Sequence, residues 1–288
     1  PMLFASAFRL CRRFYRPSGT DPALERYQPM KLEITAALDY RLGDPVDLML
    51  HIEAAAIPEQ LILNAVLDVG NCEYFARVTA QDMIGDRIWL RRGGELNVRY
   101  RTTVEIQRDL IDYRTLDKVA MHRLPAETVQ YLNESRYCPA NKFIHFVQDE
   151  FGDVEGGAKI GQMRDWIETH FTYVSGSSDA ETGALDSFVL RQGVCRDYAH
   201  VMVSLARAAA IPARVVSVYA LGVEPQDFHA VAEVFLGGAW HLVDATGMAK
   251  AGEMAKIAVG RDAADISFLT AYGEIEMLNQ QVTVAKPG

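Results

Sequence analysis

Residues 191–221, RQGVCRDYAHVMVSLARAAAIPARVVSVYAL, provide the strongest evidence for the fold of this chain. The middle part of this stretch, residues 196–210, has the length and apolar content of a strong helix. Ile211-Pro212 ends that helix, because proline lacks the backbone N–H that would continue it. Residues 213–221 are mostly apolar and rich in valine, which predicts a strand. The stretch therefore predicts a helix followed at once by a strand.

Two further strand-like runs follow, FHAVAEVFL at 228–236 and AWHLV at 239–243. Gly237-Gly238 between them predicts a two-residue hairpin turn, so the two runs should pair antiparallel. One apolar stripe upstream repeats at i, i+3, i+7 and i+11 and predicts an amphipathic helix: Ile160, Met163, Ile167 and Phe171. Helices followed by an antiparallel sheet indicate an α+β domain.

Residues 31–109 have a different pattern, in which apolar and polar residues alternate between turn signals that contain glycine. They predict five strand-like segments: Lys31–Leu42, Val46–Ile57, Leu61–Val69, Cys72–Ala80 and Arg87–Gln107. Short strands separated by turns are typical of an antiparallel sandwich. Helical spacing begins after this region, at Ala126–Ser135 and Ala140–Phe151.

A chain of 288 residues exceeds the usual size of a single core and suggests more than one domain. We divide it into a tail or upstream extension at 1–29, a β-rich N-terminal domain at 30–110, a helical connector at 111–155 and a second domain at 156–288. The predicted fold class is α+β. An antiparallel β-sandwich-like domain precedes helices that pack on an antiparallel sheet.

The composition excludes some classes of partner. The formal net charge is −9 at pH 7, whereas nucleic acids and anionic membranes are bound by clustered Lys and Arg side chains. Residues 1–17 are a local exception, since they contain four arginines and no acidic residue. No window approaches the ~18 apolar residues of a membrane-spanning helix. We predict neither a nucleic-acid partner nor a membrane span.

The cysteine pattern favours a reducing compartment. The four cysteines are widely spaced and form no C-x-x-C pair: Cys11, Cys72, Cys138 and Cys195. So few cysteines in a long chain argue against a disulfide framework and for a cytoplasmic location. A zinc site normally takes two ligands from one short unit, and none occurs here. We predict no metal and no cofactor.

Cys195 is the candidate nucleophile. Gly193 permits a sharp turn just before it, and the helix begins at or directly after the cysteine. A thiol at a helix N-terminus faces unpaired backbone N–H groups and the positive end of the helix dipole, which favours the thiolate. The same N–H groups are candidate donors to an oxyanion. The alternative is that Cys195 is a small buried apolar residue, the usual environment of a free cysteine.

His229 and Asp244 supply the other two groups of a possible triad. His229 begins the first strand of the hairpin and Asp244 follows the second. Antiparallel pairing brings the start of one strand beside the end of the other, so the two side chains should be neighbours. In that arrangement the carboxylate orients the imidazole, which can act as base and then as acid for Cys195.

These blocks together resemble the transglutaminase-like superfamily, relatives of papain-type proteases. The resemblance rests on GVCRDYAHVMVSLARAAAIPARVVS, FHAVAEVFLGGAWHLVDAT and VGRDAADISFL, and it spans about residues 30–285. It is similar in layout to bacterial members that are described as cysteine proteases. Two departures stand out: Val231 replaces the usual Trp two residues after the histidine, and Ala245 replaces the usual Pro after the aspartate.

The resemblance implies a papain-like transglutaminase core at 156–288 with the triad Cys195, His229 and Asp244. It also suggests three residues around the substrate. Gln192 could donate to the oxyanion, Tyr173 could direct its hydroxyl into the site, and Val231 could alter the substrate groove. For Gln192 a surface position, and for Tyr173 a core position, are the simpler interpretations.

The function implied is cysteine-dependent amide hydrolysis or acyl transfer through a thioester. The expected substrate is a peptide or protein that carries an amide, either a peptide bond or a Gln side chain, with an amine as a possible second substrate. The alternative is a catalytically inactive module that binds peptides or proteins on the same fold. A third hypothesis assigns the function to the β-rich region, whose strand edges could bind a partner's strand.

Overall fold

The computed structural model of the protein describes residues 30–287. The predicted tail at 1–29, including Cys11, lies outside the described residues. Six strands come first: β1 (Met30–Leu42), β2 (Val46–Leu50), β3 (Gln60–Asp68), β4 (Tyr74–Thr79), β5 (Asp86–Arg92) and β6 (Glu95–Ile106). Short 3-10 turns lead to the helices α1 (Ala126–Val129), α2 (Ile144–Phe151) and α3 (Gly156–His170).

The second half contains seven elements up to residue 243, of which the last four, one helix and three strands, correspond to the runs predicted at 196–210, 213–221, 228–236 and 239–243. The seven are β7 (Thr172–Tyr173), α4 (Ala184–Leu190), β8 (Gln192–Gly193), α5 (Cys195–Ala208), β9 (Ala213–Ala220), β10 (His229–Leu236) and β11 (Ala239–Val243). The chain continues through β12 (Met254–Gly260), α6 (Ala263–Ile266), β13 (Leu269–Ala271) and β14 (Ile275–Ala285). None of the helices within residues 30–287 is both long and apolar enough to cross a membrane.

The β-rich region consists of two antiparallel four-stranded sheets, with strand orders β14-β1-β6-β3 and β13-β2-β5-β4. Alternate residues of β1 are buried from Leu32 to Leu42, as expected for strands with one face on a core. Both sheets contribute to a single apolar cluster, which contains Leu38 from one sheet and Leu90 from the other. The predicted antiparallel sandwich is thereby confirmed.

The C-terminal strands return to this sandwich. β13 pairs with β2, and β14 runs antiparallel to almost the whole of β1, with Glu33 opposite Ala285 and Leu42 opposite Ile275. The predicted boundaries assign 269–285 to the second domain, whereas the strands in this range complete both N-terminal sheets. Sequence alternation alone does not specify a strand's partner, because partners more than 200 residues apart are selected by packing.

The second region is a sheet covered by helices. Its strand order is β11-β10-β9-β12, and α5 packs on β10 and β9 and against α3 and α4. Every residue of α5 from Asp197 to Arg207 is buried, which explains why the sequence of this helix is apolar around most of its circumference. The predicted hairpin is present, and Gly237 and Gly238 both have positive φ, 59° and 90°. The predicted α+β class is confirmed.

Polar contacts join the two regions. The Gln60 side chain donates to the carbonyl of Lys256 at 2.8 Å and accepts from its backbone N–H at 2.7 Å. The Tyr219 hydroxyl donates to the carbonyl of Ile52 at 2.7 Å. The strand predicted for Val46–Ile57 ends at Leu50 because the following residues bond to the second region, with the N–H of Ala55 donating to Lys256.

Candidate active site

The chain makes a tight turn before α5. Val194 is extended, and the helix begins at Cys195. The buried Asp197 carboxylate accepts the backbone N–H of Val194 at 2.8 Å, which satisfies one of the free donors at the helix start. A Cβ on Gly193 would lie 2.5 Å from the Cβ of Asp197, so only glycine fits there. Gly193 and Asp197 together fix the position of the thiol at the first residue of the helix.

His229 and Asp244 are in direct contact, as the hairpin predicts. His229 Nε2 lies 3.0 Å from Asp244 Oδ2, and both side chains are almost completely buried. The register pairs Ala232 with Val243, so the start of β10 lies beside the residue that follows β11. This contact fixes the orientation of the imidazole ring.

The Asp244 carboxylate has four donors around it. Oδ1 accepts the backbone N–H of Thr246 at 2.9 Å and its hydroxyl at 2.7 Å. Oδ2 accepts the N–H of Ala249 at 3.0 Å in addition to the imidazole. Burial raises the pKa of Asp244, but the hydrogen bond and charge of His229, together with the Thr246 donors, outweigh burial and lower it. Asp244 is therefore ionised at neutral pH.

His229 also interacts with the side chain of Cys195. Nδ1 is buried and has no hydrogen-bond partner of regular geometry within residues 30–287. Burial opposes protonation, but the hydrogen bond to Asp244, the neighbouring Cys195 side chain and the charges of both raise the pKa of His229 to about 10. Because Nε2 contacts Asp244, the contact with Cys195 falls to Nδ1. The geometry brings Cys195, His229 and Asp244 together in that order.

Tyr173 reaches the same point from a different strand. β7 and β8 pair in parallel, with Tyr173 opposite Gly193, so the ring lies next to the turn before α5. Its hydroxyl interacts with both the backbone N–H and the thiol of Cys195. Burial and the charge of Cys195 are the main causes that raise the pKa of Tyr173 to about 12. Tyr173 therefore presents a neutral hydroxyl to the thiol at neutral pH.

Comparison with known proteins identifies the family of the chain. Residues 141–245 match the transglutaminase-like superfamily. The crystal structure of a protein from Cytophaga hutchinsonii, titled "Putative Cysteine Protease", is 32% identical and has a TM-score of 0.86. The match covers 90% of this chain and 91% of that one. The chain belongs to the transglutaminase-like superfamily.

Two more distant proteins also resemble this chain. An uncharacterized protein of Mycobacterium leprae is 28% identical over 148 residues, which are 48% of this chain and 53% of that protein. The chain thus spans about half the length of this curated relative. The periplasmic domain of TgpA from Pseudomonas aeruginosa bound to ethylmercury is 17% identical, covers 78% of this chain and 92% of that one, and has a TM-score of 0.42. That score is too low to support an argument about function.

A cavity of about 460 Å³ opens beside the thiol of this transglutaminase-like domain. Cys195 and His229 line it, together with apolar side chains that include Phe228, Ile266 and Phe268. The rings of Phe228 and Phe268 stack with centroids 4.7 Å apart. The nucleophile candidate is half-buried, whereas the two groups behind it are closed off from solvent. A substrate would therefore meet the thiol first.

None of the three predicted substrate-binding residues, Tyr173, Gln192 and Val231, lines the cavity. Gln192 is half-buried in β8 and does not line it. Val231 is 1% exposed and belongs to a second apolar cluster with Val216, Leu242 and Val259. Ala245 is also buried in the apolar core. The two departures from the family pattern thus fall on packed positions in this chain.

Other histidine and cysteine side chains of the domain have structural environments. His200 is buried, stacks on Tyr137 with centroids 5.2 Å apart, and accepts the N–H of Ala263 at 3.1 Å. Burial lowers the pKa of His200 to about 3 and raises that of the Cys138 thiol to about 12. Within residues 30–287, no group of three or more His, Cys, Asp or Glu side chains is arranged to hold a metal ion.

Sequence reasoning missed the groups that hold Asp244. Thr246 and Ala249 hold Asp244, and Arg164 Nε donates to its carbonyl oxygen at 3.1 Å. The Asp-x-Thr spacing after β11 is a local signal that could have identified Thr246, because such residues bond to nearby backbone and side chains. No local signal marks Arg164, which lies 80 residues upstream on α3.

Proposed function

We propose that the protein is a cysteine-dependent enzyme that hydrolyses an amide or transfers its acyl group to an amine. The observation that carries this proposal is a series of contacts: the half-buried Cys195 interacts with His229, and His229 contacts Asp244. A cavity opens on the side of the thiol. Superfamily membership and the likeness to the Cytophaga hutchinsonii protein support the general kind of activity.

In the proposed mechanism, His229 Nδ1 takes the proton of the Cys195 thiol, and the thiolate attacks the carbonyl carbon of the amide. The tetrahedral intermediate collapses as the C–N bond breaks, and the imidazolium gives its proton to the departing amine. A thioester remains on Cys195. His229 then removes a proton from water or from an amine, which attacks the thioester and releases the acid or the new amide.

Asp244 remains ionised throughout this cycle and stabilises the imidazolium through Nε2. The oxyanion would be held by backbone N–H groups at the start of α5, where the donors have no partner within the helix. Tyr173 is a second candidate donor, since its neutral hydroxyl is next to Cys195. Gln192 does not line the cavity, and neither does Tyr173; the interaction with Cys195 is what favours Tyr173 over Gln192.

The expected substrate is a peptide or protein amide, and the acceptor is water or an amine. The superfamily to which the chain belongs is consistent with such substrates. A reducing compartment such as the cytoplasm also remains our proposal, based on cysteine usage. Within residues 30–287, Cys72, Cys138 and Cys195 are all free thiols.

The test is the rate of alkylation by iodoacetamide, followed by intact-protein mass spectrometry from pH 5 to 9. In the wild type we expect one fast adduct, mapped to Cys195, that still forms at pH 5 because the imidazolium stabilises the thiolate. His229→Ala should slow the reaction at pH 5 at least about tenfold. His241→Ala is the matched control, since His241 is a half-buried histidine on β11 that is bonded to the carbonyl of Leu236.

Slow labelling in the wild type that does not change in His229→Ala would sink the nucleophile assignment. That result would favour the inactive binding module. Equal slowing in His229→Ala and His241→Ala would mean that the loss comes from general destabilisation of the sheet and not from the thiol–imidazole contact.

A further inference from the structure

The cavity beside Cys195 contains one acidic side chain, Asp227, two residues before His229. It lies in the loop between β9 and β10 and is half-buried. Neither the triad nor the proposed acyl-transfer chemistry uses it. A carboxylate in an otherwise largely apolar wall is costly to desolvate unless it has a partner, so its surroundings indicate what it can bind.

One oxygen of Asp227 is already held in place. Oδ1 accepts the side-chain amide of Gln280 at 2.6 Å and the backbone N–H of Phe228 at 2.7 Å. Gln280 belongs to β14, so a strand of the sandwich orients this carboxylate. The same loop is tied to β14 again by Gln226, which bonds to both the carbonyl and the N–H of Val284. The position of Asp227 is therefore fixed from two sides.

The other oxygen has no partner. Within residues 30–287, Oδ2 of Asp227 accepts no hydrogen bond, and no cationic side chain forms an ion pair with the carboxylate. Asp227 lines the cavity, so its negative charge lies at the cavity wall without a cationic partner. The charge of Asp227 also acts close to the thiol. It helps to raise the pKa of Tyr173, although burial and the charge of Cys195 are larger causes.

The cationic groups of the cavity differ in this respect, because His229 already contacts Asp244 and the two arginines have anionic neighbours of their own. Arg136 is exposed and forms an ion pair with Glu181 at 3.1 Å. Arg196 donates to the carbonyl of Asp179 at 2.6 Å and lies 3.7 Å from the buried Asp197. Both arginines therefore have an anionic neighbour outside the cavity. The uncompensated charge of the cavity is that of Asp227.

We propose that Asp227 is a specificity-determining residue that binds a cationic group, such as a primary ammonium, of the molecule that reacts at Cys195. This inference deepens the proposed function and rests on it for the reacting atoms. The ammonium can belong to a basic side chain of the amide substrate or to a diamine acceptor, and both present the same charge to Oδ2. The apolar wall of Phe228 and Phe268 suits the methylene chain that carries such a group.

The first experiment measures charge selectivity at the thiol and needs no natural substrate. Purified protein is treated with 2-aminoethyl, 2-hydroxyethyl and 2-sulfonatoethyl methanethiosulfonate, which have similar lengths and differ in charge. In each case the Cys195 thiolate forms a disulfide with the reagent and methanesulfinate leaves. Rate constants for the Cys195 peptide are read by mass spectrometry and divided by those of a free small thiol.

The wild type should react with the cationic reagent faster than with the anionic one, relative to the free thiol. Asp227→Asn keeps a side-chain oxygen for Phe228 and Gln280 but removes the charge. It should lower the ratio of the cationic to the neutral rate by about five- to tenfold, the size expected for one charge near a protein surface. Asp227→Glu should retain most of the preference. Glu224→Gln, which removes an exposed charge from the same loop, should change the ratio less than twofold.

A ratio in Asp227→Asn that stays within twofold of the wild type overturns the proposal. The proposal is also overturned if the wild type shows no preference for the cationic reagent. That measurement decides the question even if Asp227→Asn does not fold. Failure of the proposed function looks different. Iodoacetamide labelling would then be slow and independent of His229, whereas the charge ratio would still report on Asp227.

A second experiment separates the two sources of the cation. Hydrolysis of fluorogenic peptide amides with Lys or norleucine at each position tests the acyl donor in the absence of amine. Incorporation of 1,5-diaminopentane or pentylamine tests the acceptor. A preference for the cationic partner in either arm that is lost in Asp227→Asn supports the proposal and identifies the source. Equal rates for cationic and neutral partners in both arms overturn it.

Discussion

Strand β10 carries two buried charged clusters that differ in one respect. At its start, His229 contacts Asp244 but leaves Nδ1 without a regular partner, directed at a half-buried thiol and a cavity. Four residues further on, Glu233 is enclosed by Arg214 and Lys256. The Arg214 Nε lies 2.7 Å from Glu233, and the Lys256 ammonium bonds to Glu233 and to Glu59.

The second cluster continues into the sandwich region. Arg214 also bonds to Asp82 at 2.7 Å, and the Tyr131 hydroxyl donates to the same carboxylate at 2.6 Å. Burial raises the pKa of Glu233, but the charges of Lys256 and Arg214 outweigh burial and lower it. Every charge in this cluster has a partner, so it is suited to holding the two regions together. Burial and charge therefore do not by themselves identify a reactive site. The two clusters differ because His229 lines a cavity and has a ring nitrogen without a regular hydrogen-bond partner.

Removing the central charge of the closed cluster should have the largest effect on stability. Glu233→Ala leaves Arg214 and Lys256 buried with fewer anionic partners, so we expect a loss of about 3–5 kcal/mol in the free energy of unfolding. Urea denaturation measures it, with the exposed Glu95→Ala as control. Thiol labelling of the folded variant should be unchanged. A loss below about 1 kcal/mol would contradict the structural role given to this cluster.

Weakening the open cluster should affect reactivity more than stability. Asp244→Asn removes the negative charge that stabilises the imidazolium. The substitution therefore lowers the pKa of His229, and the thiolate population at pH 6 falls. We expect alkylation of Cys195 at pH 6 to slow by about 100-fold, which corresponds to about 2.7 kcal/mol. Stopped-flow or quenched labelling measures this rate. A variant that labels at the wild-type rate would show that Asp244 does not tune His229.

Val231 lies between His229 and Glu233 on β10 and belongs to neither charged cluster, so its substitution should affect stability and not reactivity. Because it is packed among Val216, Leu242 and Val259, Val231→Ala should cost about 2 kcal/mol of stability through lost burial and a small cavity. Labelling of Cys195 should remain within about twofold of the wild type. A large change in labelling or substrate choice with little loss of stability would restore Val231 to the substrate groove.

The pH dependence of stability tests whether His229 is held as the cation. The folded-state pKa of His229 is about 10, above the ordinary value of about 6.5. Its contribution to stability is thus complete below pH 6.5 and is lost as the pH rises through 10. Between pH 7 and 10 the wild type should lose on the order of 3 kcal/mol more stability than His229→Gln. Parallel pH curves for the two proteins would mean that His229 is not held as the cation.

The hairpin and the helix start were accessible to sequence reasoning because their causes are local. Gly237-Gly238 supplies two positive φ angles, and that turn brings the start of β10 beside the end of β11. Gly193 and Asp197 are four residues apart and shape the turn before Cys195 between them. The contact of His229 with Asp244 could therefore be predicted from residues 229–244 alone, while its role in catalysis remains our proposal.

The rest of the site depends on contacts between distant parts of the chain. Tyr173 reaches Cys195 through the parallel pairing of β7 with β8, and Gln280 reaches Asp227 from a strand 53 residues later. Val231 was predicted to shape the groove, yet it lies in a packed cluster.

Sequence reasoning alone predicts the hairpin, the helix after Cys195 and the residues that could carry the chemistry, since turn residues and apolar periodicity act over a few positions. The tertiary structure was needed to show that β13 and β14 complete the N-terminal sheets and that Asp227 keeps one oxygen free. It also decided that Glu233 is enclosed while His229 opens on a cavity. The physical reason is that partners far apart in sequence are chosen by the packing of the whole core, to which each residue contributes only a small part.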